Sequence, residues 1–503
     1  MMRLRLPALA AASAAAMALA GCNLAPTYVR PAGAVPAALP QGGVYPPAAT
    51  DAPDVSAIGW RDFFVDERLR RVIALGLENN RDLRVAAANV LQARARYRVQ
   101  RAGIVPTTSL SGSATYTNNV FGAAGASGAA AGGGTGTGTG AGTGTGTGTG
   151  GTGAGVGASS GDLEFYSVNA GFSAFELDLF GRVRNLGRAA LEQYFASEEA
   201  QRATRISLIA EIATAWLTYA SDQDQLAISQ NTLTAFQQTL DLTRAQFRIG
   251  VASELEARQA ETNYQAARND IAVLRTRIAQ DKNALDLLLG APADPTLLPT
   301  SLGEGIATVR TLPTGLSSEV LLRRPDVLQA EHQLIAENAN IGAARAAFFP
   351  RISLTATVGT ISAALSGLFS GGAFTYTGAP AASLPLFDGG RNQGNLQFAR
   401  ATQQAAAATY ERTVQVAFRE VADALAQRGT IEEQIAAQTA RTDAAVAASR
   451  LSDARYRVGV TSFINTLDAQ RTAYAAQQQL VTTRLARGSN LVELYRSLGG
   501  GLN

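Results

Sequence analysis

The residues that usually carry metal or redox chemistry are scarce in this sequence. His332 is its only histidine, Cys22 is its only cysteine, and the three methionines lie at positions 1, 2 and 17. Soft-metal sites need several sulfur or imidazole ligands, which these residues cannot supply together. No Ser/His/Asp set and no catalytic pair of carboxylates stands out either. The sequence therefore predicts a protein that is not an enzyme and that needs no metal or other cofactor.

The amino-terminal residues indicate an exported protein. Arg3 and Arg5 precede a short apolar run from Leu6 to Leu19. This run is too short to cross a bilayer, but it has the length of a secretory signal peptide, which we assign to residues 1–21. Removal of the signal takes both arginines away and lowers the formal net charge from +3 to +1. Such a small charge predicts no basic surface for nucleic acid.

The signal peptide ends in Leu19-Ala20-Gly21-Cys22, which resembles the lipobox of bacterial lipoproteins. That resemblance implies that Cys22 becomes the first residue of the mature protein and carries a covalent lipid such as palmitate. Asn23 in the next position implies sorting to the outer membrane. Once Cys22 is acylated, no thiol is left for a disulfide within the chain.

Two similar stretches divide the helical part of the sequence into hairpins. Leu242 to Ser253 reads LTRAQFRIGVAS, and Leu451 to Arg471 reads LSDARYRVGVTSFINTLDAQR. Both contain Arg-x-Gly-Val, and long proline-free segments run up to the glycine and away from it. This pattern predicts two long helices joined by a tight turn at each glycine.

The residues of the two turns have distinct predicted tasks. Gly250 and Gly459 lie where a residue that ends a helix needs a positive φ, which glycine adopts without steric cost. Ser253 and Ser462 lie at the N-cap of the following helix, where a hydroxyl can accept a hydrogen bond from a backbone N–H. The two expected hairpin tips comprise residues 248–253 and 457–462.

A seven-residue repeat runs along the longest predicted helix, from about Leu186 to Phe247. Its apolar members are Ile212, Tyr219, Leu226, Leu233, Leu240 and Phe247. A sustained repeat of this kind predicts a left-handed supercoil packed on neighbouring helices. At 1.5 Å per residue the helix would be about 90 Å long, well beyond a compact domain. The other predicted helices extend over about 66–104, 253–289, 391–455 and 463–498.

Alternating residues predict three β-strands, and the repetition of the whole pattern, described below, predicts a fourth. In the first, apolar residues alternate with hydroxyl residues from Leu110 to Thr117, so that one face is apolar and the other hydroxylic. The predicted strands lie at about 107–118, 165–179, 350–360 and 373–386, and the phase of the second slips near Phe175. Residues 119–162 are mostly Gly, Thr, Ala and Ser, which predicts a mobile external loop.

The whole pattern occurs twice. Asp82–Pro106 and Asp326–Pro350 have the same length and are offset by 244 residues. Leu179-Phe180-Gly181 and Leu386-Phe387-Asp388-Gly389 are offset by 207, and the Gly/Thr loop in the first copy accounts for the difference of 37. We therefore predict a mixed, mainly α fold, built from a duplicated repeat of a helix, two strands and a helical hairpin.

The same features give the predicted domain boundaries. Residues 22–65 are rich in Pro and Ala and predict an extended, lipid-anchored tether. The first repeat comprises 66–290 and the second 317–503. The prolines of 291–316 mark the linker between them.

Four strands of about ten residues are long enough to cross an outer membrane but too few to close a barrel. An open edge in lipid would leave backbone groups unpaired, so the chain is expected to form an oligomer. Two chains would give eight strands around an interior filled by side chains, and three would give twelve around an aqueous lumen. The alternative at this point is that the strands are amphipathic segments of a soluble trimer.

The whole mature chain resembles the outer-membrane efflux lipoproteins of the TolC/OprM type, the NodT family. The motifs that carry the resemblance are the lipobox at Cys22, the duplicated RIGVAS and RVGVTS, Leu386-Phe387-Asp388-Gly389-Gly390, and Asn465-Thr466-Leu467-Asp468-Ala469-Gln470-Arg471. The resemblance implies a homotrimer with a twelve-stranded barrel in the outer membrane and a periplasmic tunnel of helices. It also implies a passive conduit that docks on a periplasmic membrane-fusion adaptor and an inner-membrane pump of the resistance-nodulation-division type.

The resemblance also assigns a gate to the start of the last helix. The aspartate ring of the family matches Asp468, with Ile464 one turn earlier as an apolar plug and Arg471 one turn later. Three carboxylates around a threefold axis would repel one another and attract cations. The alternative is an ordinary ion pair between Asp468 and Arg471 on a solvated helix face, worth a few tenths of a kcal/mol.

The hairpin tips are the predicted docking surface for the adaptor. The residues expected to take part are Arg248, Gly250, Val251, Ser253, Arg457, Gly459, Val460 and Ser462. Gly and Ser are also explained by the turn itself, whereas an exposed Val has no local reason to be apolar.

Three functions compete on the sequence alone. The first is an outer-membrane duct that exports drugs or other small toxic compounds. The second is a duct of the same architecture for type I protein secretion, which the lipobox and the short tail after Leu498 disfavour. The third is a structural, coiled-coil surface lipoprotein, which the turn-paired double repeat disfavours.

Overall fold

The structure is a computed structural model that describes residues 23–33, 35–36, 38–46, 58–117, 163–303 and 318–500. The predicted signal peptide, Cys22, the Gly/Thr loop and part of the linker lie outside these ranges. The chain divides into two compact units. The first is formed by the described residues within 1–29, 93–193 and 335–405, and the second by those within 30–92, 194–334 and 406–503.

Helices make up most of the described residues, which confirms the predicted, mainly α class. They are α1 (Trp60–Phe63), α2 (Glu67–Asn79), α3 (Arg81–Ala102), α4 (Arg182–Arg248), α5 (Glu254–Leu289), α6 (Pro325–Ala346), α7 (Arg391–Arg457) and α8 (Phe463–Ser497). The strands are β1 (Thr108–Thr117), β2 (Leu163–Leu177), β3 (Arg351–Ser362) and β4 (Phe374–Ser383). Short 3-10 helices lie at Pro295–Leu297, Ser318–Arg323 and Leu365–Gly367. Within the described ranges, no helix combines the length and the apolar character needed to cross a membrane.

The four strands form one antiparallel sheet in the order β1-β2-β3-β4. Between β2 and β3 the register changes, because Phe172 is opposite Ala356 whereas Phe175 is opposite Leu354. This bulge explains the phase slip expected near Phe175, and Ala174 adopts a positive φ of 52° within it. The bulge restores the alternation of faces on both sides of the irregular point.

The sheet has one hydroxyl-rich face and one apolar face. Ser111 is opposite Asn169, and Ser113 is opposite Ser167, with 2.9 Å between the two hydroxyl oxygens. On the other face, Leu110 is opposite Ala170. The outer edges of β1 and β4 have no strand beside them within the described residues.

Two predicted boundaries are corrected. The helix expected over 66–104 is broken at Asn80, whose side chain accepts a hydrogen bond from Leu83 N at 2.9 Å and donates one to Leu288 O at 2.8 Å. The amide group therefore caps α3 and also ties it to α5. The fourth strand ends at Ser383 rather than at 386, because Pro385 has no N–H for a strand ladder.

The described residues of 23–46 form an extended segment, as predicted, but side chains of other elements hold it, so the expectation of a tether that is not packed is wrong. In the first unit, Asn338 Nδ2 donates to Pro26 O at 2.7 Å, and Arg345 Nη1 donates to Leu24 O at 3.0 Å. An extended segment has free carbonyl groups because it makes no helical hydrogen bonds, so donors on α6 can hold it.

The same segment is also held in the second unit. Arg30 makes a two-point ion pair with Glu331, with distances of 2.8 and 2.7 Å. Ser318 Oγ donates to Pro36 O, and Leu39 is buried. We call residues 24–46 the amino-terminal strap.

The main core of the second unit lies where α2, α4, α5 and α8 meet. Trp60, Phe63 and Phe64 insert beneath Tyr495, with ring centroids of Phe63 and Tyr495 4.6 Å apart. Trp216 of α4 is buried and donates from Nε1 to Leu297 O at 3.2 Å. These aromatic side chains are wide, and all of them are nearly solvent-free.

The seven-residue repeat of α4 is only partly buried. Ile212, Tyr219 and Leu240 are buried, whereas Phe247 at the end of the repeat is exposed. The stripe therefore packs on other helices along its length but not at the hairpin tip.

Substitution of Gly429 on α7 tests whether the amino-terminal strap packs against this helix. A Cβ at this position would lie 1.8 Å from Val44 O and 3.3 Å from Pro46 Cδ. In a free helix, Gly→Ala stabilises by about 0.5–1 kcal/mol, whereas overpacking costs about 1–3 kcal/mol. We expect Gly429→Ala to lower the thermal unfolding midpoint in detergent and to speed hydrogen exchange in residues 38–46.

The control is Gly394→Ala on the same helix, where an added Cβ meets nothing within 4 Å. This variant should raise the midpoint slightly. Equal stabilisation by both substitutions would show that the strap does not pack on α7.

Candidate functional site

The two hairpin tips have the same backbone geometry. Gly250 has φ of 78° and Gly459 has φ of 77°. Val251 N donates to Gln246 O at 2.9 Å, and Val460 N donates to Arg455 O at 2.9 Å. Together with the bonds from each glycine N–H to the carbonyl three residues earlier, this is the Schellman arrangement of a helix end. The positive φ predicted for both glycines is confirmed.

The serine caps differ between the tips. Ser253 Oγ accepts from Glu256 N at 3.2 Å, and Glu256 Oε2 accepts from Ser253 N at 2.8 Å, which completes a capping box. Ser462 also occupies the N-cap, but its hydroxyl makes no capping bond, so that part of the prediction is wrong. The third helical residue there is Asn465, which is too short to reach back and instead donates to Thr461 Oγ1 at 3.2 Å.

All eight residues predicted to dock a partner are exposed at the tips. Val251 is 72% exposed and Val460 is 63% exposed. Arg457 pairs with Asp453 at 2.9 Å, one turn back along α7. The prediction missed Ile249 and Val458, which are 75% and 73% exposed. Both occupy the x position of Arg-x-Gly-Val. The sequence indicates their role, because this position is apolar in both copies.

A small apolar cluster joins the two hairpins next to the tips. Leu240 and Ala260 of the first hairpin are buried against Phe463 and Leu467 of α8. Beside them, the Tyr456 hydroxyl donates to Gln246 Oε1 at 2.6 Å. The tips therefore lie side by side as one surface.

Polar contacts continue this connection along α8. Gln470 Nε2 donates to Thr239 Oγ1 at 3.1 Å. The Tyr474 hydroxyl donates to Asp270 Oδ2 at 2.9 Å and lies 2.9 Å from Ser229 Oγ. Burial, with the neighbouring Asp270, raises the pKa of Tyr474 to about 12, so this phenol stays a donor at all physiological pH values.

The predicted gate residues lie on a neighbouring face of α8 that is turned away from this cluster. Phe463 and Leu467 are buried, whereas Ile464, Asp468 and Arg471 are all exposed. Their spacing of four and three residues puts the three exposed side chains on one stripe. The ion pair between Asp468 and Arg471 is not formed, and neither side chain has any other ion pair within the described residues.

Comparison with known proteins gives the chain its family. The sequence profile described as "Outer membrane efflux protein" matches residues 72–291 and 316–500. This chain belongs to that family. The predicted function as an outer-membrane channel component of an efflux system is thereby confirmed, as is the prediction that the protein is not an enzyme. Neither the secretion duct nor the structural lipoprotein is favoured.

Several named proteins resemble this efflux protein over nearly its whole length. The antibiotic efflux pump outer membrane protein ArpC and the toluene efflux pump outer membrane protein TtgC, both from Pseudomonas putida, are each 41% identical over 490 residues, covering 97% of this chain and 94% of each relative. The open-state crystal structure of the MtrE outer membrane channel from Neisseria gonorrhoeae has a TM-score of 0.80 at 34% identity. It covers 96% of this chain and 99% of that one.

A pair of carboxyl groups between α4 and α5 escaped the sequence analysis of this efflux protein. Burial and the neighbouring Asp222 raise the pKa of Asp281 to about 6, and burial also raises the pKa of Asp222. Arg277 opposes both shifts without cancelling them. The sequence gives little indication of this pair, because the two residues lie 59 positions apart and only the packing of the helices brings them together.

This pair predicts a pH-dependent contribution to stability. The pKa of Asp281 in the folded protein, about 6, lies above its ordinary value of 3.8. The contribution of Asp281 to the stability of the folded protein is therefore fully present below about pH 4 and is lost as the pH rises through 6. We expect Asp281→Asn to raise the thermal unfolding midpoint relative to wild type at about pH 7.5, and this gain should shrink towards zero near pH 4.5.

Asp443→Asn, at an exposed position on α7, is the matched control and should give the same small change at both pH values. A gain from Asp281→Asn that does not vary with pH would contradict the raised pKa.

Proposed function

We propose that this efflux protein is a passive, homotrimeric duct that carries small molecules from the periplasm or from an inner-membrane pump to the cell exterior. The observation that carries the proposal is the four-stranded sheet, in which the edge strands β1 and β4, each ten residues long, have no further strand beside them in the described part of the chain. Three such sheets joined edge to edge would make a twelve-stranded barrel with no free edge, as a membrane requires. The hydroxyl-rich face would line its lumen, and the apolar face would contact lipid.

The proposed architecture is a duplicated repeat. The long helices α4 and α7 have 67 residues each, and the return helices α5 and α8 have 36 and 35. These matched lengths support division into a first repeat at 66–290, a linker at 291–316 and a second repeat at 317–503. In this proposal, the hairpins of three copies form the periplasmic tunnel.

The proposed membrane attachment has two parts. Residues 1–21 are a signal peptide that is removed, and Cys22 then carries the covalent lipid. The amino-terminal strap supports this proposal, because it begins only two residues after Cys22 and is fixed on α6 by Asn338 and Arg345. The Gly/Thr loop at 119–162 would face the exterior.

The proposed gate is the exposed stripe of Ile464, Asp468 and Arg471. All three side chains are exposed, and within the described residues neither Asp468 nor Arg471 makes an ion pair, which supports a role towards the lumen, where three copies of Asp468 would meet around the axis. Such a ring would favour cations, and the copies of Ile464 would narrow the passage one turn away.

The proposed partners are a periplasmic membrane-fusion adaptor and an inner-membrane pump of the resistance-nodulation-division type. The tips support the docking of an adaptor, because their apolar side chains are exposed on a rigid turn that needs no apolar residue. Candidate cargo follows from the relatives named for toluene and antibiotic efflux: small apolar compounds and drugs.

Single-channel conductance in a planar bilayer tests the duct and its gate. Wild-type protein should give small, cation-preferring and mostly closed events. Asp468→Ala should give larger and longer openings, because the carboxylate ring is lost. Asp241→Ala, at an exposed position on α4, should behave like wild type. Equal conductance in all three would remove Asp468 as the gate, and folded protein without conductance would reject the duct.

Photo-cross-linking tests the docking surface. A photoreactive residue at Val460 should capture a periplasmic adaptor in cells, because this side chain is exposed at the tip. The same residue at Val85, which is 58% exposed on α3, should capture none. Capture at Val85 but not at Val460, with the channel intact, would place the docking surface elsewhere.

A further inference from the structure

The two Leu-Phe pairs that follow β2 and β4 have the same sequence but different surroundings. Phe180, after β2, stacks on Phe349 with ring centroids 4.7 Å apart and an angle of 20° between the planes. Leu386 and Phe387, after β4, are each 92% exposed. Two adjacent large apolar side chains with that exposure are unusual on a surface facing water.

Phe349, the partner of Phe180, lies in the connection that leads into β3. Phe349 follows α6 and comes just before β3, which is the neighbour of β2 in the sheet. The sequence offset of 244 makes Val105 its counterpart, in the connection between α3 and β1. Ile104 and Val105 are 47% and 64% exposed, so this counterpart is uncovered as well.

We infer that Phe387 of one subunit packs against Ile104 and Val105 of the next subunit, with β4 beside β1 in a fixed register. The contact would repeat between subunits the one that Phe180 and Phe349 make within a chain. This inference rests on the proposed trimeric duct and goes beyond it, because it specifies which residues meet at the joint.

The register between β4 and β1 of the next subunit follows from the register between β2 and β3 within one chain. There, Glu176 of β2 is opposite Ser353 of β3, and Leu177 is opposite Ile352. The offset of 207 converts Glu176 to Ser383, and the offset of 244 converts Ser353 to Ser109. Ser383 of one subunit should therefore lie opposite Ser109 of the next.

The faces of the sheet support the same register independently. Ser109 is opposite Gly171, which is opposite Thr357 on β3. Thr357 and Arg351, six residues apart on β3, project to the same face, and Ser383 is opposite Arg351. Ser109 and Ser383 therefore lie on the hydroxyl-rich face, and a slip of one residue would mix the two faces.

Disulfide cross-linking tests the register in the full chain. Cys22, the lipid acceptor, is the only native cysteine. Residues directly opposite in an antiparallel pair have Cα atoms about 4.5–5.5 Å apart, within disulfide range, whereas a shift of two residues exceeds that range. Ser109→Cys with Ser383→Cys should give covalent dimers and trimers on non-reducing gels, at least about tenfold faster than the shifted pairs.

The shifted pairs combine Ser383→Cys with Ser111→Cys or with Ser113→Cys, both on the same face. Faster cross-linking in either shifted pair would overturn the register. If no pair cross-links while the protein has the mass of a trimer and conducts, the inference fails and the duct stands. A monomeric mass without conductance would reject both.

Substitution of the aromatic ring tests the apolar contact. Phe387→Ala should lower the temperature at which the trimer dissociates in detergent, and adding Val105→Ala should lower it by less than the sum of the two single effects, because the two side chains meet. Phe369→Ala removes another exposed ring, 81% exposed in the connection between β3 and β4, and should leave that temperature unchanged. An unchanged temperature for Phe387→Ala, or fully additive effects, would overturn the contact.

Discussion

The backbone N–H and C=O groups along the outer edges of β1 and β4 need hydrogen-bond partners, and this need constrains how the whole protein can be built. Water can satisfy these groups, but a bilayer cannot, and each unpaired group in hydrocarbon costs several kcal/mol. Within the described residues, the chain supplies four strands in one sheet, and no strand lies beside the outer edges of β1 and β4. In the proposed trimer these edges are paired between copies of the chain, and the hydroxyl-rich and apolar faces become the lumen and lipid surfaces.

The helical part solves a different problem, which is to hold two hairpins together while leaving one face uncovered. Near the tips, the apolar contact between hairpins is a small cluster around Leu240 and Phe463. The hydrogen bond of Tyr456, on α7, lies beside this cluster, and those of Gln470 and Tyr474 extend it along α8. Directional contacts of this kind fix the rotation of α8, and so they fix which of its residues stay exposed. The Ile464–Asp468–Arg471 stripe is exposed because Phe463 and Leu467 are buried.

The amino-terminal strap shows how a segment without secondary structure can still be fixed. Its carbonyl groups at Leu24, Pro26 and Pro36 accept hydrogen bonds from side chains of both units. Gly429 and Gly342 allow its backbone to approach α7 and α6 closely, because any Cβ there would meet Val44 or Ala25. The donors are ordinary helix residues, and nothing in the strap itself signals them.

Residue spacing over a few positions is enough to predict the strands and turns of this protein. Period-two alternation marked three of the strands, and the Arg-x-Gly-Val pairs marked both turns with their positive φ. Each of these depends on residues within a few positions of one another, where spacing alone decides the outcome.

The features that join distant residues arise from packing between separate parts of the chain, which local spacing does not predict. The break at Asn80 depends on a carbonyl at Leu288, the raised pKa of Asp281 depends on Asp222, and the strap depends on donors about 300 residues away in the chain. Residue spacing permits a capping bond from Ser462 and an ion pair between Asp468 and Arg471, but it does not determine whether these contacts form. Neither contact is formed in the structure. Sequence periodicity defines faces and turns, whereas the packing of whole helices decides which groups on those faces meet, because such contacts depend on positions that local sequence does not encode.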